Sequence, residues 1–397
     1  AMTVEAVPKF TPEGQPLDKD TLRLMHTTMQ TLGRVAIIGG SVLVALLNVY
    51  MFSGVEALQE AEKVAVYTNI YLIALFIPVI SVLGVTLGYF LKWREYKQLR
   101  ASGHSPKQAW HMLNVQEEAP APNWWILGGS LVFVIFTLTM GLGDFRYNQE
   151  IIFLGSMAIV LFLMSRLVKV LEVDARRILV GTALIIFVYR ATPTPGAGST
   201  WWMIDVLGFD QQFLSVLSLI GAALTLFGMF IFRRFMAEKS IAYIVVFLTI
   251  VGTILTLPIV GMYYGLHEWT SALTGGVVDA RFIALVDTAL ESPLGQIAMI
   301  PMLAWIANSA PSQLKATFFA VMASFTNLAL SASQLGTKYV NQIFTVSREV
   351  KDPASGAVTV PANYDELGVL LITVTALVLV LPLLAIVLVK RTKMQSA

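Results

Sequence analysis

The chain has 397 residues, of which 56% are hydrophobic and 13% charged, with a mean hydropathy of +0.72 and a formal net charge of +2. That composition is the signature of an all-α polytopic membrane protein, since a soluble core has no use for so much apolar surface. The small net charge gives no electrostatic case for nucleic acid. The lack of cysteine removes disulfides, thiolate nucleophiles and Cys metal sites, and the four histidines (His26, His104, His111, His267) are scattered. With no nucleophile arrangement, metal cluster or phosphate loop in view, the chain is not expected to be an enzyme or to use a metal or cofactor.

Residues 1–34 are polar, carry Lys9, Lys19, Arg23 and Arg34, and contain no apolar run of the signal-peptide type. They are expected to form a cytoplasmic segment. From there the hydropathy pattern predicts ten transmembrane helices, at about 35–52, 68–91, 124–142, 151–170, 178–190, 212–232, 241–263, 282–306, 314–335 and 367–389. If the C-terminal Lys390, Arg391 and Lys393 lie in the cytoplasm, counting back puts Arg233, Arg234, Lys239, Arg176, Arg177, Lys92, Arg94, Lys97 and Arg100 on the same side. The positive-inside rule is then obeyed, with both termini cytoplasmic.

Residues 92–123 join the basic run KWREYKQLR to the Pro-rich EEAPAPN and read as a cytoplasmic linker between bundles. The loop 336–366, with Gly, Pro, Ser and Asp, is expected outside. Most of the eight tryptophans, among them Trp124, Trp125, Trp201 and Trp202, fall at predicted span ends, where an aromatic belt explains them without a ligand.

Three stretches carry more than topology. In 282–308, FIALVDTALESPLGQIAMIPMLAWIAN, Asp287 and Glu291 are spaced i, i+4 and share one helical face, and Pro293 and Pro301 weaken the backbone ladder beside them. An acid near the bilayer centre costs about 2.5–3.5 kcal/mol on insertion scales, so the pair points to a solute or proton pathway unless a neighbouring helix neutralises it. In the span 314–335, Ala316, Ala320, Ser324, Asn327, Ser331 and Gln334 make a small, polar stripe. Such a face suits close helix packing or a cavity, and the amides of Asn327 and Gln334 favour the cavity. The weaker stripe Ser218, Gly221, Ala222, Thr225 and Gly228 reads as packing. Finally, FVYRATPTPGAGSTWWMIDVLGFD, residues 187–210, ends a helix at Pro193 and Pro195, turns at Gly196 and Gly198, and reads as a shaped extracellular mouth. There Arg190 either snorkels to headgroups or meets an anionic solute, with Asp205 as its resting partner.

The run from Arg190 through PTPGAGSTWWMIDVLGFDQQFLSVLSLIGAALTLFGMFIFRRFMAEKSI resembles the folate-biopterin transporters, a branch of the major facilitator superfamily. So does GQIAMIPMLAWIANSAPSQLKATFFAVMASFTNLALSASQLG, residues 295–336, which looks like that family's last inward span, its cytoplasmic turn and its eleventh helix. The resemblance covers about residues 178–392 well and the N-terminal third loosely. It implies a major-facilitator-like bundle in which 178–397 is a complete six-helix C-terminal half and 35–91 holds the last two helices of the N-terminal half. Residues 124–177 would then be two inserted helices. The opening at Ala1 rather than Met2 then suggests a longer parent protein with about four further N-terminal helices, without which the chain is not expected to transport.

By that resemblance the function expected is secondary active transport, most simply symport of a folate- or pterin-like solute with a proton, in a bacterial inner membrane. A pterin offers a guanidine-like edge that a carboxylate accepts bidentately, and folate adds an anionic tail. Asp287 or Glu291 would hold the edge, or Glu291 would carry the coupling proton. Arg190 would meet the tail, and Gln296, Asn327 and Gln334 would line the path. Two alternatives stay open: a fourteen-helix exporter of amphiphilic compounds, and a membrane assembly or scaffold protein that keeps the fold without transport.

Overall fold

A computed structural model describes residues 19–55, 60–103, 105–113, 124–143, 145–169, 171–309, 315–352, 355–392 and 394. The Pro-rich end of the expected linker, 114–123, and the first eighteen residues lie outside them. The chain forms two compact units, residues 44–122 and residues 1–43 with 123–397.

The smaller unit begins within α1 (Lys19–Met51) and continues through α2 (Glu60–Ala74), α3 (Phe76–Ala101) and α4 (Pro106–Leu113). Only Leu75 interrupts α2 and α3. Pro78 supplies the reason, because it has no N–H to offer the Ala74 carbonyl one turn back. The basic run expected in a linker is instead the C-terminal third of α3. There the Lys97 ammonium lies 3.7 Å from the Trp93 ring centroid, and α4 folds back so that Ala109 is fully buried.

The larger unit holds α5 (Trp124–Leu142), α6 (Asn148–Val168), α7 (Val173–Arg190), α8 (Ala197–Asp205), α9 (Gln211–Ile231), α10 (Arg233–Glu238) and α11 (Ile241–Tyr263). It continues with α12 (Leu266–Leu273), α13 (Ala280–Glu291), α14 (Met299–Ser309), α15 (Lys315–Ile343) and α16 (Leu367–Arg391). Side-chain caps set several starts: Asp210 accepts from the Phe213 N–H at 2.7 Å, Asp279 from Phe282 at 2.8 Å and Ser240 from Tyr243 at 3.3 Å. The expected outer loop after α15 is partly ordered. It adds two turns to α15 and then a small antiparallel hairpin of β1 (Val350–Lys351) and β2 (Val358–Val360).

Among the described residues nine helices are long and apolar enough to cross a membrane, against the ten expected. The difference lies in α7, whose first turns carry Asp174, Arg176 and Arg177 and whose apolar part is short. It nonetheless lies at the heart of the fold. One core cluster joins Leu163 and Leu167 of α6, Leu179 and Ile185 of α7, Val245 of α11, Met302 and Ile306 of α14, Phe318 and Met322 of α15 and Ile386 of α16. The pair α5 and α6 is therefore built into the same core as the helices that follow. Large apolar side chains such as Ile254, Phe227, Phe230 and Leu384 point outward, as a bilayer permits.

Helices in lipid gain little from burying apolar surface against one another, so close approach at small residues carries their association. Gly228 of α9 meets the backbone of Pro293, and Gly368 of α16 meets the Tyr263 ring. The reading of the α9 stripe as a packing face holds at Gly221, Thr225 and Gly228, all of which contact residues 288–295. Gly228→Val is accordingly expected to lower the unfolding temperature of the detergent-solubilised protein, with overpacking on the order of 1–3 kcal/mol. Gly40→Ala, which has open space around it, should leave it in place; equal melting of the two variants would count against this contact.

Candidate functional site

The segment from α13 to α14 is not one helix. After Glu291 the chain tightens into a 3-10 turn, Ser292–Leu294, passes through a turn over 295–298 and becomes helical again at Met299. Pro293 withholds the N–H that the Ala289 carbonyl would receive, and Pro301 does the same for Ile297. The Ser292 carbonyl, which accepts from the Gly295 N–H at 3.1 Å, also accepts from the Thr225 hydroxyl of α9 at 2.9 Å. A backbone gap at membrane depth survives only where protein or water satisfies it, and α9 supplies that support.

A second break faces the first. α7 ends at Arg190, residues 191–196 pass through Pro193 and Pro195 without helix, and Gly196, at φ +77°, opens α8. The break is tied to α15: Ser333 Oγ donates to the Thr192 carbonyl at 2.6 Å, the Thr194 N–H to Thr337 Oγ1 at 2.9 Å, and Asn341 Nδ2 to the Pro195 carbonyl at 3.2 Å. These three residues recur at steps of four on α15, a signal present in the sequence on a face next to the stripe picked out there.

Between the two breaks lies a cavity of about 250 Å³, with Tyr189, Arg190, Leu248, Glu291, Met299 and Met302 on its walls. Arg190 and Glu291 stand on different walls with no ion pair between them, and Arg190 Nη1 is buried without a hydrogen-bond partner. One turn before Glu291, Asp287 is buried with Oδ1 unpartnered, and in the turn after it Gln296 Oε1 is in the same condition. Unsatisfied buried polar atoms are rare in folded proteins and call for an occupant or a function. Gathered at two helix breaks beside one cavity, these groups can receive both an anionic and a cationic or hydrogen-bond-donating part of a solute. Tyr189 and its flat ring went unremarked in the sequence; its place next to an intramembrane arginine was the available clue.

The other expected site residues lie elsewhere. Asp205 ends α8 and is gripped by Arg348 of the hairpin, Nε to Oδ2 at 3.1 Å and Nη2 to Oδ1 at 2.8 Å, while the Tyr364 hydroxyl donates to Oδ2 at 2.6 Å. It is thus not the partner of Arg190. The two acidic and basic groups are at different levels: Arg190 shares its cavity with Leu248 and Gly252 in mid-α11, whereas Trp202, one turn before Asp205, packs on Tyr263 at the end of α11. The run 187–210 is a broken helix in which Trp202 is core, not belt, at 4% exposure, while Asp205, Val206 and Gly208 are exposed. Asn327 and Gln334 are exposed on α15. Gln334 and Ser331 line a second cavity of about 890 Å³ with Phe133 and Thr137 of α5 and Phe153 and Ser156 of α6. At its end Lys338 Nζ pairs with Glu150 Oε1 at 2.6 Å.

The helical bundle and its charged, broken-helix cavity define a polytopic membrane protein with an internal polar site. Residues 27–396 match the model of the BT1 family, and the chain belongs to that family. It is 28% identical over 146 residues to the "Folate-biopterin transporter" of Synechocystis sp., an alignment covering 37% of this chain and 28% of the relative. It is 27% identical over 166 residues to "Putative folate transporter 2" of Plasmodium berghei (40% and 34%), and 25% identical over 157 residues to "Probable folate-biopterin transporter 6" of Arabidopsis thaliana (38% and 29%). The chain thus spans about a third of the length of each relative. No solved structure matches it. The relatives are named as transporters, not enzymes, in accord with the expectation that the chain has no enzymatic role.

The Asp205 cluster yields a test of the fold around the site. The Arg348 hydrogen bonds, ahead of that from Tyr364, hold the Asp205 carboxyl below its ordinary value of 3.8, while burial and then the bond to Asp205 push the Tyr364 phenol up to about 12. A lowered acid contributes stability in full above its unfolded value and loses it as pH falls through the lowered one. The hairpin should therefore stay protected in amide exchange down to about pH 4 and open at lower pH. Arg348→Gln should open it already at pH 7, and protection of residues 345–366 unchanged in that variant would refute the clamp.

Proposed function

We propose that the protein is a secondary active transporter that carries a folate- or pterin-like solute through a major-facilitator-like bundle by proton-coupled alternating access. The observation that carries this reading is the unpaired Arg190 and Glu291 on separate walls of one cavity, each at the end of a broken helix. Discontinuous helices at mid-membrane are where transporters place solute and coupling ions. The printed names of the relatives supply the solute class. In this reading the pterin edge donates to Glu291, with Asp287 and Gln296 behind it, the ring lies along Tyr189, and an anionic tail reaches Arg190. A cavity of about 250 Å³ is just under the roughly 300–1,000 Å³ of drug-sized sites, which suits a bicyclic head better than a whole folate. Given the charge bias of the loops, the cavity occupies the cytoplasmic half, since it runs along Ile241 to Gly252 of α11. Helices α7 to α16 act as one moving six-span bundle with α5 and α6 fixed to it, in a bacterial inner membrane.

Labelled biopterin and folate uptake by cells expressing the chain joined to the further N-terminal helices expected above should be saturable and faster at acid external pH. Glu291→Gln and Asp287→Asn should each reduce it about tenfold or more, the scale of losing a charge-assisted hydrogen bond, with the protein still present in the membrane. Wild-type uptake in both variants would sink the assignment of these acids.

A further inference from the structure

Arg190 does not stand alone. Val35 and the buried Ile38 of α1 pack into a cluster with Tyr189, Ile244, Leu248, Ile297 and Ile300, so the wall that holds Tyr189, Ile244 and Leu248 at the cavity is backed by α1. This brings Arg34, the residue before Val35, to the region where Arg190 follows Tyr189. Arg34 is half-buried, belongs to the same compact unit, and makes no ion pair with a described residue. Two guanidinium groups in one region repel each other, and in a setting of low dielectric that repulsion is weakly screened. Among the described residues neither arginine has an ion-pair partner: Glu291 lines the same cavity as Arg190 without pairing with it, and Asp287 lies one turn before Glu291. The arrangement becomes favourable when an anion bridges the pair, because a planar guanidinium fork donates two parallel hydrogen bonds to a carboxylate.

We propose that Arg34 and Arg190 together form a receptor for a dianionic, dicarboxylate-type end of the solute, with Arg34 reading the second carboxylate. This rests on the reading of the cavity as a solute site, and it adds a specificity: Arg34 separates solutes with a dicarboxylate tail from tail-less pterins.

The test is equilibrium binding to the protein in nanodiscs of neutral phosphatidylcholine, which supply no competing lipid phosphate monoester or excess negative charge. Two probes are used, p-aminobenzoylglutamate as the dianionic tail and biopterin as the neutral head. Arg34→Gln is expected to weaken p-aminobenzoylglutamate about tenfold or more and to leave biopterin at the wild-type level, while Arg190→Gln weakens the dianion at least as much. Arg34→Lys, which keeps the charge and loses the fork, should fall between; it carries the test if Arg34→Gln does not fold. Unchanged dianion binding in both Arg34 variants, equal loss of both probes, or no dianion binding by the wild type overturns the proposal. Biopterin binding without the dianion would leave the solute site standing and remove the pair. Arg34-dependent dianion binding without biopterin would keep the pair and remove the pterin.

Discussion

A backbone that leaves its helix inside a bilayer must find every lost hydrogen bond again, and this constraint shapes the larger unit. Two segments leave their helices, one at Ser292–Ala298 and one at Ala191–Gly196. Each is tied to a neighbouring helix through polar side chains that reach its backbone, Thr225 of α9 for the first and Ser333, Thr337 and Asn341 of α15 for the second. The repair also dictates where glycine is needed. Gly228 lets α9 come close to Pro293, and Gly196 takes the positive φ that restarts the chain as α8. Residues that pack and residues that face the cavity are thus two sides of one device.

The breaks also set the electrostatics. Arg190 is the last residue of α7 and Glu291 the last of α13. A helix C-terminus carries partial negative charge, so it favours the cation at the end of α7 and disfavours the anion at the end of α13. The wall bearing Glu291 therefore suits a donor-rich group. The two side chains do not collapse into an ion pair because separate contacts fix their helices. Phe187 stacks on Phe325 of α15 at 5.0 Å, holding α7, while Thr225 and Gly228 hold the other break on α9.

Much of this was legible in the sequence, for identifiable reasons. Spanning helices announce themselves because lipid demands long apolar runs, and Pro293 and Pro301 mark the weakened ladder after Glu291. Intramembrane Asp287, Glu291 and Arg190 stood out because charge is costly there. The fate of Asp205 was not legible: its partner Arg348 is 143 residues away in a loop whose hairpin register no local pattern specifies. Similarly, the period of α15 reveals a polar face but not what it meets. Gln334 turned out to face α5 and α6, and the residues that mattered for the break lay one step round the helix. Arg34 was read as topology, because a basic residue at the start of a span has that explanation by default.

The arrangement favours bridging over pairing. Had Arg190 and Glu291 met, any solute would first have to separate a charge pair in a weakly screening environment, and entry would be slow. Held apart, with Asp287 and Gln296 unpartnered behind one wall and Arg190 Nη1 unpartnered in the other, they leave the polar atoms of the cavity to be satisfied by water or by a solute. A molecule with hydrogen-bond donors at one end and negative charge at the other replaces that water at both walls at once. One with only one of the two features leaves a charged wall exposed to an apolar surface, which costs more than water did. On the function proposed above, selection for amphoteric, elongated solutes follows from the separation of the two breaks, and a change that moved either helix end would alter it even with every lining residue kept.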